Sequence, residues 1–409
     1  MLRPHSPDDP SKSRRRRDVR PSSSPQRWLL LWTLAGALCA VACSSEEESG
    51  TPGTSAGGQA GSGASAGSGG TGGTSAGGGG TGGQPGGAAP VAQVHEVGRF
   101  DRSDPTGPQF TWSGTAFRTR VDGAPLEITV AGAAGVFFQV IVDDSPSSVF
   151  ETLGGEQVHT VADGLAAGPH DVEIYRRNEG FFGTVQLLDV AAGSGGQLVE
   201  TPRPWQRRIE FIGDSITCGY GVEGPDEHCS FSGDTETAYA TYAAIAAREL
   251  DAEAHLIAYS GKGVFQNYGG DTNEPMPELY GRTLTGDSTD TWDFASWTAD
   301  AVVVNLGTND FSATIAQNQF VPAYAALLGT IRSQYPSARI FCVSWAHWGS
   351  EHESWVEDAM TQSGDDNLTH LGFTIETSEG WGCDYHPSAA THQRLGQELA
   401  QAMRTAMGW

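Results

Sequence analysis

Arg208-Ile209-Glu210-Phe211-Ile212-Gly213-Asp214-Ser215-Ile216-Thr217 is the stretch that decides the fold of this chain. Residues 208–212 read as a buried strand, and Gly213 ends it just before a serine. The same texture recurs downstream. Glu236 to Leu250 sets Tyr239, Tyr242, Ala243, Ala246 and Leu250 on one helical face. His255 to Tyr259 reads as a second strand and the valine-rich Ala301 to Leu306 as a third. A helix from Phe320 to Tyr335 leads to a fourth strand, Arg339 to Ser344, and a last helix runs from Ser388 to Met407. Strands alternating with helices indicate an α/β domain over 205–409, a parallel sheet covered on both faces. Reactive groups in such sheets gather beyond the carboxyl ends of the strands.

Residues 91–200 read differently. Val136, Phe138, Val140 and Val142 alternate with Phe137, Gln139, Ile141 and Asp143, a period of two. Val172 and Ile174 alternate with Asp171, Glu173 and Tyr175. Leu126 to Val130, Gln157 to Val161 and Gly183 to Val190 are further strand candidates between Gly-, Pro- and Asp-rich turns. Short strands at this spacing, without an amphipathic helix, point to an all-β antiparallel sandwich, a jelly roll.

Residues 1–42 read as an export signal. Arg14 to Arg17, Arg20 and Arg27 precede an apolar stretch from Trp28 to Ala42, too short to span a bilayer. Leu38-Cys39-Ala40-Val41-Ala42-Cys43 resembles a bacterial lipobox, which implies a lipidated Cys43 at the cell envelope; the alternative is cleavage near Ala42 and release. Residues 43–90 form a Gly/Ser/Thr-rich tether with no core to bury. Past residue 42 the chain holds 16 Lys/Arg against 46 Asp/Glu. That charge argues against nucleic acid and anionic membranes as partners but not against neutral polymers. Once Cys39 leaves and Cys43 is lipidated, Cys218, Cys229, Cys342 and Cys383 remain, and four cysteines allow three pairings. Cys218 with Cys229 closes a short loop and would leave Cys342 with Cys383. Structural zinc finds no matching ligand spacing.

Four loops at strand ends carry candidate chemistry: Gly213-Asp214-Ser215-Ile216-Thr217, Ser260-Gly261-Lys262-Gly263, Gly307-Thr308-Asn309-Asp310 and Asp384-Tyr385-His386-Pro387-Ser388. A serine hydroxyl needs a neighbouring base to become a nucleophile, and His386 is the candidate base for Ser215. An oxyanion needs fixed donors, for which the N–H groups of Ser215 and Gly263 and the amide of Asn309 are suited. Asp214 reads as a turn former, Asp310 as a helix cap and Lys262 as a surface residue. His347, His352 and Glu351 read as a solvated loop rather than a metal site. Trp345, Trp348, Trp381 and Tyr385, on loops near Ser215 and His386, are candidates for a sugar-stacking platform. The long loop Gly269 to Asp290 is polar, unlike a lipase lid.

These blocks, in this order, resemble the SGNH/GDSL hydrolases over Arg208 to Trp409. Gly213 to Gly221, Ser260 to Gly263 and Cys383-Asp384-Tyr385-His386-Pro387 look like carbohydrate esterase family 2. Upstream, Gly98-Arg99-Phe100, Trp112-Ser113-Gly114 and Tyr175-Arg176-Arg177 look like the sandwich of that family. The resemblance implies a flavodoxin-like catalytic sheet after a jelly roll, and deacetylation of polysaccharides such as xylan and glucomannan, often at the sugar 6-position, without a metal or organic cofactor. SGNH enzymes usually place the third triad member three residues before the histidine, where this chain has Cys383. Either Asp384 orients His386 through a local bend, or a backbone carbonyl does so and the pair works as a dyad. A non-catalytic carbohydrate-binding surface lipoprotein and an esterase for lipid or peptidoglycan acetyl groups are the rival readings.

Overall fold

The structure is a computed structural model that describes residues 93–123, 125–201 and 205–409. The export segment, Cys43 and the tether lie outside the described residues. The first part is built from ten antiparallel strands. One sheet runs β1 (Val94–Val97), β3 (Ala116–Asp122), β8 (Pro169–Arg176), β5 (Ala134–Val142) and β6 (Ser145–Leu153), with β10 (Gln197–Val199) also on β3. The other runs β2 (Gln109–Phe110), β9 (Val185–Ala192), β4 (Leu126–Gly132) and β7 (Gln157–Ala162). The period-two positions face inward. Val136, Phe138 and Val140 of β5 and Val172 and Ile174 of β8 pack with Ile128, Val130 and Val185 of the other sheet.

The second part is a five-stranded parallel sheet in the order β12 (Ala252–Ala258), β11 (Arg207–Gly213), β13 (Ala301–Asn305), β14 (Arg339–Trp345) and β15 (Leu368–Phe373). The chain reverses direction of travel at β11, which makes the ends of β11 and β13 the switch point of a flavodoxin-like sheet. Phe211, Val303 and Phe341 face α2 (Tyr242–Glu249) and α6 (Ala389–Met407). Ile212, Val302, Val304 and Ile340 face α3 (Met276–Leu279), α4 (Gln317–Gln334) and α5 (Ser350–Ser363). The helix read from residue 236 begins later, at Tyr242, after a 3-10 turn capped by Thr241. β15 and α5 were not legible in the sequence. β15 is an edge strand of half-buried, mixed residues, and α5 is largely polar.

The cysteine pairing differs from the expectation. Cys229 bonds Cys383, with Cα atoms 4.7 Å apart, whereas Cys218 and Cys342 are buried free thiols. Cys342 is central in β14 and packs in the sheet core, and Cys218 points inward from α1 (Ser215–Cys218). Neither can turn toward the surface loops that carry Cys229 and Cys383.

The sandwich is latched to the parallel sheet by a buried charge. Arg99, two residues beyond β1, sets Nη2 3.0 Å from the Glu210 carboxylate on β11, and both side chains are inaccessible to solvent. Arg99 Nη1 also donates to the carbonyls of Tyr280 (2.5 Å) and Arg282 (2.9 Å). The Tyr280 and Tyr335 hydroxyls donate to the remaining Glu210 lone pairs. Removing one partner leaves the other charge buried and unpaired. Arg99→Ala is therefore expected to cost roughly 3–5 kcal/mol of stability, read as a lowered urea midpoint; a loss below about 1 kcal/mol would contradict this account of the interface.

Candidate active site

Ser215 heads α1, a single turn whose cap is Asp214: its Oδ1 accepts the Ile216 N–H at 3.1 Å. The strand order sets this loop between the loops following β12 and β13. Asn309 laces the three together, its amide donating to Asp214 Oδ2 at 3.2 Å and to the Lys262 carbonyl at 2.9 Å. Asp310 does not cap a helix. Its carboxylate accepts the N–H groups of Val264 (2.8 Å), Phe265 (2.8 Å) and Gln266 (3.0 Å), clamping the turn after Gly263. Gly263 must be glycine, because a Cβ would lie 2.0 Å from the Gln266 carbonyl oxygen. Its N–H meets Asn267 Oδ1 at 3.3 Å, beyond the usual hydrogen-bond range. Burial pushes the Asp310 carboxyl up to about 6 and that of Asp214 up to about 7, against the pull of their N–H donors.

His386 comes from the loop before α6. Gly382 donates to the His386 carbonyl at 2.9 Å, and Trp381 bridges Pro387, which closes the loop. Across it, His386 Nε2 lies 2.8 Å from Ser215 Oγ. His386 Nδ1 faces the main-chain carbonyl of Asp384 at 3.2 Å. The Asp384 carboxylate is directed elsewhere, accepting the Tyr220 hydroxyl at 2.9 Å and the Phe231 N–H at 3.2 Å. Asp384 (φ 52°) and Tyr385 (φ 59°) are both left-handed, and this bend turns the carbonyl toward the imidazole. With Nδ1–H donating to that carbonyl, Nε2 turns its lone pair toward the Ser215 hydroxyl. Tyr220 stacks on His386 with centroids 4.2 Å apart and continues onto Phe231 at 4.0 Å. The Cys229–Cys383 disulfide ties the segment after α1 to the His386 loop, supported by Cys383 donating to the Gly221 carbonyl at 3.0 Å.

The aromatic candidates separate. Trp345 is buried in the sheet, its Nε1 donating to Asn305 Oδ1 at 2.7 Å, so it cannot stack on a sugar. Trp348 and Trp381 are half-buried and Tyr385 is exposed. Their rings form a chain through His347: Trp348 at 5.4 Å, Trp381 at 6.1 Å, and Tyr385 a further 6.2 Å from Trp381. His352 is not in a solvated loop. It lies on the buried face of α5, accepting the Trp345 N–H at 3.3 Å. Lys262 is partly buried and donates to the carbonyls of Asn273 and Glu274. Tyr220, beside the histidine, and Glu179, which reaches Ser260 from the sandwich, were missed in the sequence. Tyr220 lay within a quoted block, but Glu179 offered no signal because its partner is 81 residues away.

Residues 96–202 match the family described as carbohydrate esterase 2 N-terminal, and residues 211–394 the GDSL-like lipase/acylhydrolase family. A solved structure of a family two carbohydrate esterase from Clostridium thermocellum, in complex with cellohexaose, is 39% identical. It covers 77% of this chain and 99% of its own, with a TM-score of 0.74. The chain belongs to carbohydrate esterase family 2. The cellulase/esterase CelE of Acetivibrio thermocellus is 40% identical over 321 residues, which are 76% of this chain but 39% of that protein. An acetylxylan esterase / glucomannan deacetylase of Cellvibrio japonicus is 26% identical over 77% of this chain and 89% of its own length.

In this family 2 chain, burial pulls the His386 imidazole down to about 4, against the carbonyls of Asp384 and Cys383 and the Asp384 charge. The ring is therefore predominantly neutral at neutral pH. Its titration followed by NMR is expected to show a midpoint near pH 4, and a midpoint at the ordinary value of about 6.5 would contradict the geometry.

Proposed function

We propose that this chain is a serine esterase that removes O-acetyl groups from polysaccharide. The observation that carries the reading is the 2.8 Å contact between Ser215 Oγ and His386 Nε2, with the opposite ring nitrogen held by a carbonyl. His386 takes the Ser215 proton as Oγ attacks the acetyl carbonyl. The oxyanion is received by the N–H groups of Ser215 and Gly263 and by the Asn309 amide, which exchanges its 3.2 Å bond to Asp214 for the stronger acceptor. Gly263 supports this role because its N–H makes only a long contact with Asn267, which a stronger acceptor would displace. His386 then gives its proton to the leaving sugar oxygen, and acetyl remains on Ser215. Water, deprotonated by His386, releases acetate and restores the serine. The steps need no metal or organic cofactor. Ser215 and His386 act as a dyad in which the Asp384 carbonyl fixes the tautomer.

Acetylated xylan or glucomannan is the favoured substrate class. The Cellvibrio relative named for both activities and the cellohexaose bound to the Clostridium esterase support a glycan site. Trp381 and Tyr385 on the His386 loop, with Trp348 joined to them through His347, offer rings for sugars to stack on. The excess of acids over bases does not oppose a neutral polymer. Export by residues 1–42, a lipidated Cys43 and the tether would hold this esterase at the cell envelope.

Ser215→Ala is expected to leave a folded protein with acetate release from acetylated xylan reduced at least about 1,000-fold; near-normal release would sink the assignment. Asp384→Asn keeps the carbonyl, so kcat for 4-nitrophenyl acetate should fall less than about tenfold, whereas a triad acid would cost about 10,000-fold. A neutral imidazole is required, so kcat/KM should decline only as pH falls toward 4. An acid limb centred near about 6.5 would place the base elsewhere.

A further inference from the structure

We propose that Glu179, a residue of the sandwich, is a positioning residue for the esterase site, and that Glu236 holds a proton shared with it. The inference rests on the reading of Gly263 as an oxyanion donor. Glu179 lies beyond β8 and is fully buried. Its Oε2 accepts the Ser260 N–H at 2.6 Å, and its Oε1 accepts the Ser260 hydroxyl. Ser260 opens the loop that three residues later presents Gly263. Asp310 grips the far side of that turn, so the loop is held at one end by the parallel-sheet domain and at the other by the sandwich.

The other side of Glu179 supplies the second observation. Glu179, Glu236 and the Cys218 thiol bring one polar atom each to within 4.8 Å of one another, all buried. No side chain donates a hydrogen bond to Glu236 among the described residues, and only the Glu179 N–H approaches its carboxyl. Two ionised carboxylates this close in the interior would repel, and Glu236 would be left with that single donor. One proton on Glu236, donated to Glu179, removes both penalties and leaves the charge facing Ser260. Burial raises both carboxyls, Glu179 to about 7 and Glu236 well above its ordinary value, and the Ser260 donors pull Glu179 back. The other groups facing the pair are Cys218 on α1, Arg176 on β8, Asp214 at the head of α1 and Tyr259 after β12. Arg176 donates to the carbonyls of Phe110, Asn178, Glu179 and Gly183. The same three atoms could ligate a divalent cation, but both Glu179 oxygens already accept from Ser260.

The test uses the full chain, 4-nitrophenyl acetate and three variants. Wild-type turnover that Ser215→Ala abolishes secures the esterase reading separately; if Ser215→Ala retains turnover, that reading fails and the Glu179 assignment falls with it. Glu179→Gln is expected to lower kcat about 10- to 100-fold with KM within about twofold, because the oxyanion donor moves and ground-state binding does not. Glu236→Gln supplies an amide N–H in place of the proton and should hold kcat within about threefold at neutral pH. With the second carboxyl gone, Glu179 ionises at lower pH, so any acid-side loss of kcat due to it moves to lower pH in Glu236→Gln. Infrared spectra of the wild type should show a protonated buried carboxyl that Glu236→Gln removes. Ser260→Ala leaves the pair intact and should lower kcat about three- to tenfold with KM unmoved. Wild-type kcat in Glu179→Gln, equal losses in Glu179→Gln and Glu236→Gln, or a stoichiometric divalent metal in the purified protein would overturn the proposal. If Glu179→Gln does not fold, Ser260→Ala decides, and an unchanged kcat there overturns it.

Discussion

A charge removed from water needs a partner, and the partner of the carboxylate buried on β11 lies outside the parallel sheet. Glu210 on β11 is inaccessible, and Arg99 from the sandwich neutralises it while two tyrosine hydroxyls fill its remaining lone pairs. β11 is also the strand that leads into Ser215. The dependence runs in the other direction as well, since Glu179 of the sandwich finds its donors on Ser260 after β12. Each part leaves buried polar groups that only the other satisfies, so the sandwich and the sheet specify a single arrangement.

Given that arrangement, the reactive loops are tied to one another more than to solvent. Asn309 spans from the Ser215 loop to the Lys262 carbonyl, and Asp310 gathers three successive N–H groups of the neighbouring turn. The disulfide adds a covalent tie across 154 residues, from the segment after α1 to the loop that delivers His386. A histidine and a serine 171 positions apart are thereby brought to hydrogen-bonding distance on loops that have little freedom to drift.

The orientation of His386 follows from backbone conformation rather than from a third acidic side chain. Two consecutive left-handed residues, Asp384 and Tyr385, turn a carbonyl onto Nδ1. A carbonyl rather than a carboxylate meets Nδ1, and burial outweighs the Asp384 charge acting on the ring. The imidazolium is then less stabilised than beside a carboxylate, which agrees with an imidazole that stays neutral well into the acid range. Tyr220, stacked on the ring and bonded to the Asp384 carboxylate, braces the same bend from both sides.

Periodicity and block order were sufficient to read the sandwich, the parallel sheet and the loops bearing Ser215, Gly263, Asn309 and His386, because each is a local pattern of apolar spacing, turn residues and reactive types. The edge strand β15 and the polar helix α5 carry no such pattern and escaped. Trp345 and Trp348, three residues apart, looked alike in sequence, yet β14 carries the first into the core and leaves the second on the loop. The choice of Cys229 as the partner of Cys383, the carbonyl in place of a triad acid and the reach of Glu179 to Ser260 were decided by the tertiary structure alone. They depend on distances across the fold and on which side chains lose their water, and neither is written in local residue order.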